Sequence, residues 1–173
     1  MKKYWIIPIL LMMLTGCGVQ ETFETISDDV AQTVNATPQQ VLLELPEGVS
    51  SPTLETLESG KMYLCDGYTV TVQITDAGDL EQTLKNTTGF SRDELQILQT
   101  KQQEMKRYDW VWASVGESGD EMSRGCILDD GSHHYILTAM ADANIFGQLQ
   151  PVLQPLFRSF RVTQFEVNPN TGS

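Results

Sequence analysis

The chain has 173 residues and is acidic, with 23 Asp and Glu against 11 Lys and Arg and a formal net charge of −12. That length suits one domain, and so few cations argue against a nucleic-acid partner, since neutralising phosphates takes clustered Lys and Arg. No run beyond the first residues has the roughly 20 apolar positions that a membrane-spanning helix needs.

The first element is MKKYWIIPILLMMLTGCG: Lys2 and Lys3, an apolar run from Tyr4 to Leu14, then small residues and Cys17. This order of charge, apolar core and small residues is that of a secretory signal. The run is too short to span a bilayer as an anchor, and Pro8 weakens a helix through it. Leu14-Thr15-Gly16-Cys17 resembles the lipobox of bacterial lipoproteins. The resemblance implies cleavage after Gly16, loss of residues 1–16, and a diacylglycerol on the sulfur of Cys17 that holds the protein on the extracytoplasmic side of the cell membrane. An ordinary secretory signal followed by a chance cysteine is the alternative. Loss of Lys2 and Lys3 leaves nine cations against 23 acids, a net charge of −14. Such a surface repels anionic headgroups, so membrane contact is expected through the lipid on Cys17 alone.

Two further cysteines, Cys65 and Cys126, remain in an exported domain, where a disulfide persists. Joining them closes a loop of about 60 residues, which in the chain-entropy model stabilises by roughly 3 to 4 kcal/mol. Two buried thiols acting as small apolar residues are the other reading.

Residues 17–40 are rich in Thr, Gln, Glu and Asp and read as a tether. The domain is expected over 41–165, with a frayed tail at 166–173. Val41–Leu45 has the length of a strand and is stopped by Pro46 and Gly48. Met62–Cys65 is a second strand, and Asp66-Gly67 is a hairpin turn. Tyr68, Val70, Val72 and Ile74 then alternate with Thr69, Thr71, Gln73 and Thr75, which predicts a strand with one packed face. A helix is predicted over Gly78–Lys85, and a second over Arg92–Gln102 behind the capping-box pair Ser91 and Glu94.

Three strands follow, at Lys106–Val115, Met122–Asp129 and His133–Met140, joined by turns at Gly116–Asp120 and Asp130-Gly131. Apolar residues on both faces of the first predict a central position. Ala143–Phe157 has helical spacing, with a kink or break expected near Pro151 and Pro155. Ser159–Phe165 is a last strand. The fold class is therefore α+β, an antiparallel sheet of about six or seven strands flanked by helices. The closing block HHYILTAMADANIFGQLQPVLQPLFRSFRV resembles the C-terminal part of PsbP-like domains, which implies an α/β/α sandwich. No functional residue of that family matches a position here, so no activity or cofactor carries over.

Three constellations merit testing. Asp129, Asp130, Ser132, His133 and His134 cluster at one hairpin. Adjacent strand residues face opposite ways, however, so the two histidines do not share one ion, and the spacing fits neither a calcium loop nor a zinc site. Ser118 lies in Gly116-Glu117-Ser118-Gly119, but Asp120 stands where a nucleophile elbow needs glycine, and the segment joins two strands. Tyr108, Trp110 and Trp112 share one face; such a stripe is core in most small domains and a peptide or glycan surface in some. The expectation is a non-enzymatic, lipid-tethered module without a cofactor that serves an unknown envelope protein or ligand. The alternatives are a hydrolase or metal-dependent enzyme at Asp129–His134, and a small-ligand carrier with a cleft between sheet and helix.

Overall fold

The structure is a computed structural model that describes residues 37–49, 51–56, 60–116 and 119–163, all within one unit of the chain, Gln32–Ser173. The signal segment, Cys17, most of the tether, Ser118 and the tail lie outside the described residues. No helix among the described residues is long and apolar enough to cross a membrane.

In chain order the first half holds β1 (Val41–Leu42), β2 (Leu54–Thr56), β3 (Gly60–Leu64), β4 (Tyr68–Asp76), α1 (Leu80–Thr88) and β5 (Leu98–Gln102). The second half holds β6 (Met105–Gly116), β7 (Gly119–Asp129), β8 (His133–Asp142), α2 (Ala143–Phe146), α3 (Gln150–Ser159) and β9 (Arg161–Val162). Seven strands form one antiparallel sheet in the order β2-β3-β4-β8-β7-β6-β5, while β1 and β9 pair separately.

Register carries each face across the sheet. Val72 lies beside Leu137 and Leu137 beside Cys126, so these side chains share a face with Val70, Leu128 and Ala139. That face is buried under Phe146 of α2 and Leu153, Leu156 and Phe157 of α3. On the opposite face Tyr108, Trp110, Ile127 and Ile136 pack beneath Leu84 of α1. Helices therefore cover both faces, and β8 is buried on both sides, with Tyr135 and Leu137 facing one layer and His134 and Ile136 the other.

The central strand is thus β8, not the Trp-bearing strand. β6 lies one place from the edge, and on its α3 side Val111 is 51% and Val115 85% exposed. Three other expectations are corrected. Only a 3-10 turn, Arg92–Glu94, forms where the second helix was predicted. Its capping contact is present, the Ser91 N–H donating to Glu94 Oε2 at 2.8 Å, but the chain then becomes edge strand β5. The helix expected over Ala143–Phe157 is two helices, broken at Gly147–Leu149. Pro151 sits in the first turn of α3, where its missing N–H costs nothing, and Pro155 is carried inside that helix. Finally, the last strand is short and pairs with β1, outside the main sheet.

The first helix is placed as its ends dictate. Asp79 Oδ1 accepts the Glu81 N–H at 3.0 Å, and Gly89, at φ +83°, donates its N–H to Lys85 O at 2.8 Å. α3 is fastened to the sheet by Arg107, which pairs with Asp109 at 2.6 Å and donates to Phe157 O at 3.2 Å. Burial works to lower the Arg107 pKa, and its hydrogen bonds to Asp109 together with electrostatic attraction to Cys126 and Asp109 outweigh that and raise it.

Candidate functional site

The segment 38–45 runs as a strap packed against the core on the sheet face that α3 covers, held at several points. The Gln39 N–H donates to the Tyr135 hydroxyl at 2.9 Å, Gln40 and Thr163 exchange hydrogen bonds, and the Glu44 N–H donates to Ser159 Oγ at 3.0 Å. Gln39 and Gln40, read from sequence as the end of the tether, are therefore part of the domain. Between the strap and strands β3 and β4 lies a cleft of about 510 Å³. Its apolar walls are Val41, Leu43 and Leu45 from the strap and Tyr63, Val72 and Ile74 from the sheet. Its polar lining includes Lys61, Asp76 and His133.

His133 and His134 occupy opposite faces, as strand alternation requires. His134 is buried beneath α1, its Nδ1 2.8 Å from Thr83 Oγ1. Burial lowers its pKa below the ordinary value, and Asp129 and Asp130 only partly offset this. His133 is 6% exposed and lines the cleft. Its Nε2 stands 3.9 Å from Asp76 and its Nδ1 3.8 Å from Asp130, too far for hydrogen bonds, so Nδ1 is buried with no partner.

The carboxylates of the hairpin are occupied in building it. Asp130 Oδ1 accepts the backbone N–H groups of Ser132 and His133 at 2.8 and 2.6 Å, and Oδ2 accepts the Tyr135 hydroxyl at 2.8 Å. Asp129 Oδ1 accepts the Gly131 N–H at 2.8 Å. Burial raises the Tyr135 pKa, with the Gln39 N–H acting against it and Asp130 with it, so the phenol keeps its proton and donates to Asp130. Gln39, Tyr135 and Asp130 thus form a relay from strap to hairpin. Among the described residues, no three His, Cys, Asp or Glu side chains are grouped to hold a metal.

The two cysteines are free thiols, which corrects the expected bridge. Cys65 follows β3 and Cys126 lies in β7, with β4 and β8 between. Three interstrand steps of about 4.8 Å separate them by roughly 14 Å across the sheet, twice the Cα separation of about 7 Å that a disulfide tolerates. Burial raises both thiol pKa values, and Asp109 adds to the effect at Cys126.

The aromatic stripe is packing. Tyr108 is 5% and Trp110 3% exposed, and Trp112 stacks on Trp110 at a ring separation of 6.1 Å while staying half-buried at the margin. Gly125 makes room for this stack, because a Cβ there would collide with the Trp110 ring.

No protein-family model and no curated protein sequence matches the chain. Solved structures do resemble it. The crystal structure of LpqN, described as involved in cell envelope biogenesis of Mycobacterium tuberculosis, aligns with a TM-score of 0.51 at 11% identity, over 75% of this chain and 88% of that one. Cyanobacterial PsbP (CyanoP) from Synechocystis sp. PCC 6803 aligns with a TM-score of 0.51 at 8% identity, over 76% of this chain and 96% of that one. The fold is PsbP-like. A Bacteroides thetaiotaomicron protein aligns with a TM-score of 0.50 at 10% identity over 72% of this chain, which spans only 46% of that protein. At such identities the likeness shows the PsbP-like frame alone.

The cleft was half legible in the sequence. The carrier alternative places a cleft between sheet and helix, whereas here the strap supplies the second wall. The signal was present in Val41, Leu43 and Leu45, but these apolar residues read as a sheet strand because nothing local distinguishes a strand from a strap.

Proposed function

We propose that the chain is a lipid-anchored, extracytoplasmic binding module of the cell envelope, and that the cleft under the strap is its ligand site. The observation that carries this reading is the cleft itself. Its size and mixed lining, apolar walls with a few polar side chains, are those of small-molecule sites. The lipobox resemblance at Leu14–Cys17 supports the location, and the PsbP-like frame shared with an envelope protein is compatible with it. An unlinked binding role fits the hairpin chemistry too, since Asp129 and Asp130 hold the turn and bring no nucleophile to His133.

Location and site have separate tests. Mass spectrometry of the membrane fraction is expected to find a diacylated species starting at Cys17, and Cys17→Ala is expected to release the protein from membranes. An unmodified soluble chain retaining Met1 overturns the anchored reading. For the site, the neutral dye Nile red is expected to bind the full chain saturably with a blue shift. Ile74→Trp, which places a large ring on the cleft wall, is expected to weaken binding about tenfold or more. Undiminished binding in a folded Ile74→Trp variant overturns the assignment of the cleft.

A further inference from the structure

We infer that a second groove, beside α3, binds an organic cation with an apolar body, an amine or quaternary ammonium carried on a ring or short chain. The inference goes beyond the cleft under the strap and does not rest on it. The groove measures about 540 Å³ and lies where the chain leaving the strap passes between α3 and the β3–β4 turn. Most of its lining is apolar, with Leu45, Pro46 and Val49 on one side and Leu149, Val152 and Pro155 on the other. Val152 is 40% exposed, so this wall is reached from solvent. Small-molecule sites have such linings and volumes of about 300–1,000 Å³.

Charge selects the occupant. Glu44, Glu47 and Asp66 stand on the lining, with no Lys, Arg or His among the described lining residues. Arg161 reaches Glu44 from outside the groove, at 3.9 Å, while Glu47 and Asp66 form no ion pair among the described residues. Like charges around one groove repel each other and an anionic ligand, and a cation relieves that repulsion. The acidic chain as a whole draws a cation in, and it opposes a second copy of itself. The apolar wall makes the groove a site, and the carboxylates choose the sign of what fills it.

The full chain is titrated with three probes that share one apolar body: cationic phenylbutylammonium, neutral phenylbutanol and anionic phenylbutyrate. Affinity is read by calorimetry, and the site by proton-nitrogen correlation of the backbone amides. The expected result is binding of the cation about tenfold or more tighter than either other probe. It shifts the amides of Val49, Asp66 and Val152 and leaves those of Val72 and Ile74 unmoved. Glu47→Gln combined with Asp66→Asn changes two exposed positions and keeps a turn-forming Asn-Gly pair. That double variant is expected to lose the preference for the cation while binding the neutral probe as before, and Ile74→Trp is expected to leave the cation's affinity unchanged. Equal or tighter binding of the neutral or anionic probe overturns the inference, as does a preference that survives the double variant. Loss of cation binding in Ile74→Trp puts the cation in the strap cleft and overturns it too. So does binding of none of the three, and so do shifts at the same amides that grow with protein concentration alone, which give the groove to a second copy. The Nile red titration decides the strap cleft separately in every case.

Discussion

Trp110 separates the packing and binding readings of the aromatic stripe. Its ring lies against Gly125 and beneath Leu84, so Trp110→Ala is expected to cost about 3–5 kcal/mol of stability. Gly125→Ala, which forces a methyl group into the same ring, is expected to cost about 1–3 kcal/mol. Urea unfolding measures both, and a native-like midpoint for either variant contradicts the core assignment. His134 makes a prediction of another kind. The unfolded histidine titrates near 6.5, and burial lowers the folded value. The unfolded chain therefore takes up the proton first as pH falls, and stability is lost below that value. Between about pH 7.5 and 5.5 the melting temperature is expected to fall in the native chain and to fall less in His134→Gln. Equal slopes contradict a neutral, buried His134. The burial of the aromatic face was legible from three large aromatic residues at alternate positions, whereas the packing role of Gly125 was not, because only the register across β6 and β7 brings it to Trp110.

Among the elements, two hairpins closed by Asp-Gly were readable and the turn between β5 and β6 was not. Asp66-Gly67 and Asp130-Gly131 turn with their glycines at φ +79° and +87°, as the dipeptides announce. The turn between β5 and β6 instead places Gln103 and Glu104 at φ +52° and +64°. Nothing in that dipeptide signals a hairpin, and the good helix formers before it carried the prediction the wrong way. Gln103 is retained there by a second duty, donating from Nε2 to Val162 O at 3.1 Å. Glu104 is exposed. Glu104→Gly therefore relieves left-handed strain and is expected to stabilise the protein by about 1 kcal/mol. A lower melting temperature for that variant contradicts the turn.

Across the whole molecule, sequence patterning led to the layered α+β fold because each long strand carries its own period, but it could not set strand order or the distance between cysteines. Strand pairing puts Cys65 and Cys126 on separate strands with two others between them. Thiol titration of the denatured chain without reductant is expected to count both, and a count that rises on reduction contradicts the strand order. The strap belongs to the same class of feature, since its role arises from where Gln39, Glu44 and the closing strand meet. The cleft it forms is the centre of the functional account, and the most direct measurement is hydrogen–deuterium exchange of the full chain with and without saturating Nile red. Slower exchange confined to residues 38–45, 60–63 and 72–76 and to the backbone around His133 is the predicted result. Protection on α1 and the aromatic face instead, or no protection anywhere in a chain shown to bind the probe, would contradict it.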